Sequence, residues 1–325
     1  MARARLDSST SATISSGSRQ AWRRAGLLTP AFDVIPNDSD AEPMAAAVSY
    51  PAVVKPLALS GSRGVIRVDT PEECRAALER VRRLLQMNDI RGEQDAAHDL
   101  AMIESFIPGP EFAVEGVLTT GGFTLFTIFD KPDPLDGPFF EETIYLTPSR
   151  ASALVQQAIV EAVGSAAAAL GLHHGPVHAE CRVNDRGVFV LEVAARPIGG
   201  LCSRALRFQG DVSLEHVLLR HALGEDIGAV RREAVASGVM MIPIPARGVF
   251  RGVDGLEAAR AVSLIEDVTI TAKQDAMLVP LPEGRSYLGF IFARGETPAA
   301  VDRALREAHA RLHLAIDREL PVLPI

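Results

Sequence analysis

Val177-His178-Ala179-Glu180-Cys181-Arg182-Val183 runs through Asn184-Asp185-Arg186-Gly187 into Val188-Phe189-Val190-Leu191-Glu192-Val193, and the reading of this stretch decides the fold. Apolar, largely β-branched residues flank an Asn/Asp/Gly turn signal on both sides, which is the pattern of a β-hairpin. With Asp185-Arg186-Gly187 as a three-residue loop and Gly187 in its left-handed position, Asn184 pairs with Val188 and Glu180 with Glu192. The two glutamates then share one face. Val177, Ala179, Cys181, Val183, Phe189, Leu191 and Val193 form the opposite face, apolar throughout and suited to a core.

Directly opposed carboxylates have Cβ atoms roughly 5 Å apart and repel unless a cation lies between them. A hard divalent ion is one answer. The other is that Arg182, on the same face, neutralises one glutamate at a solvated edge, and the hairpin alone leaves both open. The chain beyond it shifts the balance. Ala194-Ala195-Arg196-Pro197-Ile198-Gly199-Gly200 brings a guanidinium and open backbone next to the second glutamate, a combination that suits phosphate.

At 325 residues the chain is long enough for two or three packed units, and 47% hydrophobic content with 5% aromatic residues suits an Ala/Val/Leu-rich globular enzyme. A formal charge of −8 argues against a general binder of nucleic acid or anionic membrane. Cys74, Cys181 and Cys202 are an odd set without metal-ligand spacing, so no disulfide framework is expected and a cytoplasmic location fits. No apolar run approaches the ~20 residues that span a bilayer.

Residues 1–20 are rich in Arg, Ser and Thr and are expected to be disordered. Gln20 to Gly26 reads as the end of a helix. Ala52-Val53-Val54-Lys55-Pro56 is a short strand, Ser60-Gly61-Ser62-Arg63-Gly64 a flexible turn, and Val65 to Val68 a second strand, so this is no Walker loop. Such a turn can fold backbone N–H groups over a polyphosphate with Lys55 at its base, or be an ordinary surface hairpin. Thr70-Pro71-Glu72-Glu73 starts a helix to about residue 87.

Ala101 to Glu115 is strand, Pro/Gly hinge and strand. The hinge is either a plain linker or a seat for adenine along Glu104, Ser105, Phe106 and Ile107, with Glu111 accepting from ribose hydroxyls. Gly122–Asp130 is a strand, and Lys131-Pro132-Asp133-Pro134 opens a rigid loop to Glu141-Glu142-Thr143. Residues 149–170 and 214–223 form helices. The stretch from 235 is strand-rich and closes on an amphipathic helix over 298–314.

Lys55, the Ser60 to Gly64 loop, the Glu104 to Glu111 hinge, the Glu180/Glu192 hairpin and Arg196 occur in an order that resembles the ATP-grasp superfamily. Glu192-Val193-Ala194-Ala195-Arg196 and the C-terminal unit look like its L-amino acid ligase branch. The resemblance covers roughly residues 25–325. It implies an α+β ATP-grasp fold: a lid subdomain over 21–110, a large subdomain with the metal site over 111–230, and a small α+β domain over 231–325. It also implies ATP with magnesium (or manganese), phosphorylation of a carboxylate to an acyl phosphate, and displacement of phosphate by an amine, with ADP released.

Carried over by motif position, Lys55, Ser60, Gly61, Ser62 and Gly64 bind phosphates, Glu104 to Ile107 the adenine and Glu111 the ribose. Glu180 and Glu192 hold the metal, and Arg196 steadies the acyl phosphate and the tetrahedral intermediate. His173, His174 and His178 are read as packing residues, His178 being the exception to watch because it shares the carboxylate face. The family usually has a further domain and a phosphate-binding lysine upstream, whereas no lysine precedes Lys55 here. The expectation is that either the gene is shortened or a partner supplies that part, with a homodimer as the other possible assembly. Ala194 stands where many members place an asparagine metal ligand. The alternatives are a purine-pathway carboxylase or formyltransferase relative, and a non-catalytic ATP-binding subunit. The 131–143 loop and Arg247, Arg251, Arg285 and Tyr287 are the specificity candidates.

Overall fold

The computed structural model describes residues 10–318. The first sheet holds Phe32–Pro36 (β1), Ala52–Pro56 (β2), Ile66–Val68 (β3) and Leu100–Ser105 (β4), antiparallel in the order β1-β4-β2-β3. Its covering helix, Pro71–Leu85, begins where expected: the Thr70 hydroxyl accepts from the Glu73 N–H, Pro71 needs no N–H partner, and Glu72 and Glu73 meet the positive helix end. Cys74, Ala77, Leu78, Val81, Leu84 and Leu85 recur at helical spacing and bury one stripe against Val54, Val68 and Ile103.

Gly109 turns the chain into the second sheet at φ +117°, and a Cβ there would lie 2.1 Å from the Val183 carbonyl oxygen, so the expected hinge needs glycine. The next strands are Glu111–Thr119 (β5), Gly122–Asp130 (β6), Ile144–Thr147 (β7), Gly175–Asn184 (β8) and Gly187–Ala194 (β9). After a small ribbon of Arg207–Phe208 (β10) and Val212–Ser213 (β11) come Ala236–Ile242 (β12), Gly248–Asp254 (β13), Ile265–Ile270 (β14), Met277–Leu278 (β15), Gly289–Gly295 (β16) and His313–Arg318 (β17).

Eight of these form one sheet, β14-β16-β12-β7-β6-β5-β8-β9, while β15-β13-β17 stand apart. Through the β12–β7 pairing, the segment expected as a separate C-terminal domain extends the central sheet. The closing helix is Pro298–Ala310, shorter than expected because His313 already begins β17.

The hairpin corrects its own sequence reading. The turn has two residues, with Asn184 opposite Gly187 and Cys181 opposite Val190. An extra residue on β9, Leu191, then forms a β-bulge that brings Glu180 back opposite Glu192. The glutamate register is as expected, but the faces differ. Val190 packs with Val177, Ala179, Cys181 and Val193 on the core side, and Val188 lies against them, whereas Leu191 lines the cleft and Phe189 is covered by Arg186.

Residues 1–20 are corrected as well: Thr10–Arg24 is a helix, and residues 1–9 lie outside the described part. Arg19 is buried and joins both sheets, with Nη1 donating to the Val190 carbonyl (2.9 Å) and Nη2 to Glu104 Oε2 (2.8 Å). Trp22 donates to the Ala166 carbonyl at 3.1 Å. Cys74, Cys181 and Cys202 are free and buried. Among the described residues no helix is long and apolar enough to cross a membrane.

Candidate active site

A cleft of about 660 Å³ lies where the two sheets face each other. Lys55, Ser60, Gly61, Ser62, Glu104, Ser105, Phe106, Ile107, Glu111, Glu180, Glu192 and Arg196 all line it. Gly64 does not. Its N–H is bonded to the Pro282 carbonyl at 2.8 Å, and Arg63 Nε reaches the Glu283 carbonyl at 2.8 Å, so the glycine loop is tied to the C-terminal segment. Arg285 and Tyr287 of that segment line the cleft, whereas Arg251 is engaged with Asp275 and Asp317 on the surface.

On the first sheet β2 and β4 are neighbours, which sets Lys55 Nζ 2.7 Å from Glu104 Oε1. Burial acts to raise the Glu104 carboxyl, but Arg19 and Lys55 outweigh it and hold the pKa below the usual carboxylate value. At the hinge, the Ser105 N–H donates to the Ala31 carbonyl, Phe106 N–H to the Pro51 carbonyl, and Arg182 Nη1 to the Ile107 carbonyl. These bonds narrow the main-chain groups left open to a base. The Arg182 guanidinium also lies 5.0 Å from the Phe106 ring and 5.6 Å from Phe140, which makes this end of the cleft flat-sided and partly aromatic.

Arg182 does not neutralise the hairpin glutamates. Its Nε holds Glu111 Oε2 at 2.7 Å, and Lys131 Nζ holds Glu111 Oε1 at 2.7 Å, so both oxygens of the expected ribose acceptor already carry a cation. Lys131 also bonds Glu142 and lies 3.2 Å from Glu180. Glu111, Glu142 and Glu180 each bring an oxygen within 4.8 Å of the others, an arrangement of hard donors fit for a divalent ion, with the Lys131 ammonium as the cation among them.

This crowding separates the pKa values. Burial, reinforced by Glu180 and Glu111 against Lys131, pushes Glu142 up to about 7. Burial acts the same way on Glu180, but Lys131 and His178 overrule it and hold that carboxyl well below the usual range. Burial would depress His178, yet its hydrogen bond to Glu115 and the Glu180 carboxylate 3.7 Å away carry it up to about 10. Glu192 differs from these buried groups: it is half-exposed at the cleft mouth, with Arg196 Nη2 at 3.9 Å.

Sequence reasoning missed Lys131, Glu115 and the position of Glu142 in the cleft. Lys131 comes just after the apolar run Thr124 to Phe129 and, by sequence, opens a rim loop. The one available signal was its placement directly at a strand end, where the strand's alternation would carry it inward.

Two family models match the chain: an ATP-grasp domain over residues 48–205 and an L-amino acid ligase C-terminal domain over 240–317. The solved L-amino acid ligase of Bacillus licheniformis is 30% identical, with a TM-score of 0.79 over 94% of this chain and 73% of that one. The chain belongs to the ATP-grasp family. An uncharacterized protein, y4rH, of Sinorhizobium fredii is 24% identical over 89% of the chain and 58% of its own length. A D-alanine--D-alanine ligase of Aromatoleum aromaticum is 31% identical over 47% of the chain and 46% of its own length. The chain thus spans about half the length of these curated relatives. The ATP-grasp architecture, two α+β units with a cleft between them, is the one expected from the motif order.

Proposed function

We propose that this ATP-grasp protein is an ADP-forming ligase that activates a small carboxylate as an acyl phosphate and joins it to an amine, with amino-acid-like substrates. The observation that carries the reading is the single cleft in which Lys55, the 60–62 loop, the Glu104 to Ile107 hinge, Glu180, Glu192 and Arg196 converge. Lys55 and the loop N–H groups would bind the ATP phosphates, and the hinge with Phe106 the adenine. Glu180 and Glu192, with Glu111 or Glu142 close by, would hold magnesium or manganese. Such an ion, when bound, neutralises phosphate charge and orients the phosphoryl group.

In this chemistry a carboxylate oxygen of the acid attacks the γ-phosphorus and the bond to the ADP oxygen breaks. The amine nitrogen then attacks the acyl carbon, the C–N bond forms, and phosphate departs with the acyl C–O bond broken. The nitrogen gives up a proton, and Glu142, which lines the cleft and has its pKa raised toward neutrality, would accept it. Arg196 would stabilise the oxyanion and the leaving phosphate from the cleft mouth, aided by Gly199 and Gly200.

The test is magnesium-dependent release of ADP and phosphate by the purified chain with pooled amino acids and simple carboxylates. Release that requires both an acid and an amine supports the ligase. Binding of ATP without release under any pairing would favour a nucleotide-binding subunit that needs a partner.

A further inference from the structure

Glu115 has no place among the residues that meet substrate, yet it is the most thoroughly enclosed acid of the site, only 1% exposed. It stands on β5 directly opposite His178 on β8. One of its carboxylate oxygens bonds His178 Nδ1, and the other accepts from the Ile198 N–H at 3.1 Å. His178, itself buried, turns its other nitrogen toward Glu180, with Nε2 3.7 Å from Oε1. Two hydrogen bonds and one longer charge contact therefore lead from the Arg196–Gly200 loop through Glu115 and His178 to Glu180, whose Oε1 also accepts from Lys131 Nζ at 3.2 Å.

We propose that Glu115 and His178 are positioning residues that set the cation-holding carboxylate of Glu180 in fixed relation to the Arg196–Gly200 loop. The inference rests on the ligase reading, in which Glu180 holds the metal and that loop meets the acyl phosphate. The physical reason is that a ligating carboxylate keeps one orientation only when neighbouring polar and charged groups hold it, and those groups must themselves be held. Glu115 does both tasks at once. Its first oxygen fixes the imidazole ring and its second fixes the backbone two residues beyond Arg196, so a shift of the loop and a shift of Glu180 are opposed by the same side chain. A simple structural ion pair would need only the first of these bonds.

The experiment compares the intact chain with Glu115→Gln, His178→Gln and the double variant Glu115→Gln/His178→Met, with Glu180→Gln as the metal control. The double variant removes both charges of the Glu115–His178 pair, and exchanges of this kind for buried ion pairs are often neutral for folding. Three quantities are read: Mn2+ affinity in the presence of ADP by calorimetry, kcat and KM for ATP with pooled amino acids, and the ligand-free Tm. Positioning predicts Mn2+ binding weaker by about 10- to 100-fold in all three variants, the double variant included although its Tm is retained. It also predicts kcat at least about tenfold lower while KM for ATP, set on the other sheet, moves by less than about threefold.

A double variant that folds and matches the intact chain in Mn2+ affinity and kcat overturns the proposal and leaves a structural pair. If Glu180→Gln loses Mn2+ while the other variants keep it, the ligase reading of the site stands and the positioning role falls. If the intact chain shows no ADP-dependent Mn2+ binding, the reading of Glu180 falls and takes this inference with it.

Discussion

Lys55 and Arg19 divide the two oxygens of Glu104 between them, at 2.7 and 2.8 Å, so the lysine is not essential to keep that carboxylate paired. Lys55→Ala should therefore cost little stability but weaken ATP binding about 10- to 100-fold, the equivalent of one charge-assisted hydrogen bond to phosphate. Titration calorimetry with ATP checks this, and an unchanged affinity would remove Lys55 from the site. Glu192 is more than half exposed at 55%, which frees its role from the fold. Glu192→Gln should abolish magnesium-dependent ATP turnover while shifting Tm by no more than about 2 °C. Wild-type turnover in that variant would exclude Glu192 as a metal ligand. At this scale the sequence was legible where neighbours in sequence are neighbours in space, as with Glu180 and Glu192. It was silent on Lys131, whose three carboxylate partners come from β5, β8 and the segment before β7.

The hairpin β8–β9 shows what an element can hide. A turn shorter by one residue and a bulge at Leu191 are opposite shifts, so the Glu180/Glu192 pairing survives while Val188 and Val190 replace Phe189 and Leu191 toward the core. Alternation of apolar residues cannot separate the two arrangements, because residues 188–191 are apolar on both faces. The glycine-rich turn between β2 and β3 offers a test at the same scale. Arg80, on the helix covering the first sheet, bonds Glu283 with Nη2 at 2.9 Å, next to the Arg63 and Gly64 bonds to the same segment. Glu283→Gln should loosen this closure and raise KM for ATP by up to about fivefold, since a partly exposed ion pair contributes about 0.2–1 kcal/mol. Initial-rate kinetics read it. A KM equal to that of the intact chain would mean that the Gly64 and Arg63 bonds hold the loop without the Arg80–Glu283 pair.

Across the whole molecule, Glu104 is where the helix Thr10–Arg24, the first sheet and the hairpin meet, through Arg19. Its pKa is depressed in the folded state, so its stabilisation is complete above the unfolded carboxylate value and is lost as pH falls through the folded one. Glu104→Gln should destabilise the protein by about 3–5 kcal/mol at pH 7, because Arg19 is left buried without a counter-charge. That deficit should shrink as acid protonates the wild-type carboxyl, which then resembles the amide. Urea unfolding at pH 7 and at progressively lower pH checks it, and a deficit constant with pH would contradict the assignment. Local alternation and turn signals alone fixed the α+β class, and the order of the motifs from Lys55 to Arg196 carried the resemblance to the ATP-grasp family, while the opposed glutamates were foreseen because the shorter turn and the bulge cancel. Only the tertiary structure decided the rest: that residues 10–24 are an integral helix, that the C-terminal segment extends the central sheet, and that Glu111, Glu142 and Glu180 enclose Lys131. Those features depend on contacts between residues far apart in the chain, and the packing that brings them together leaves no periodic trace in any one segment.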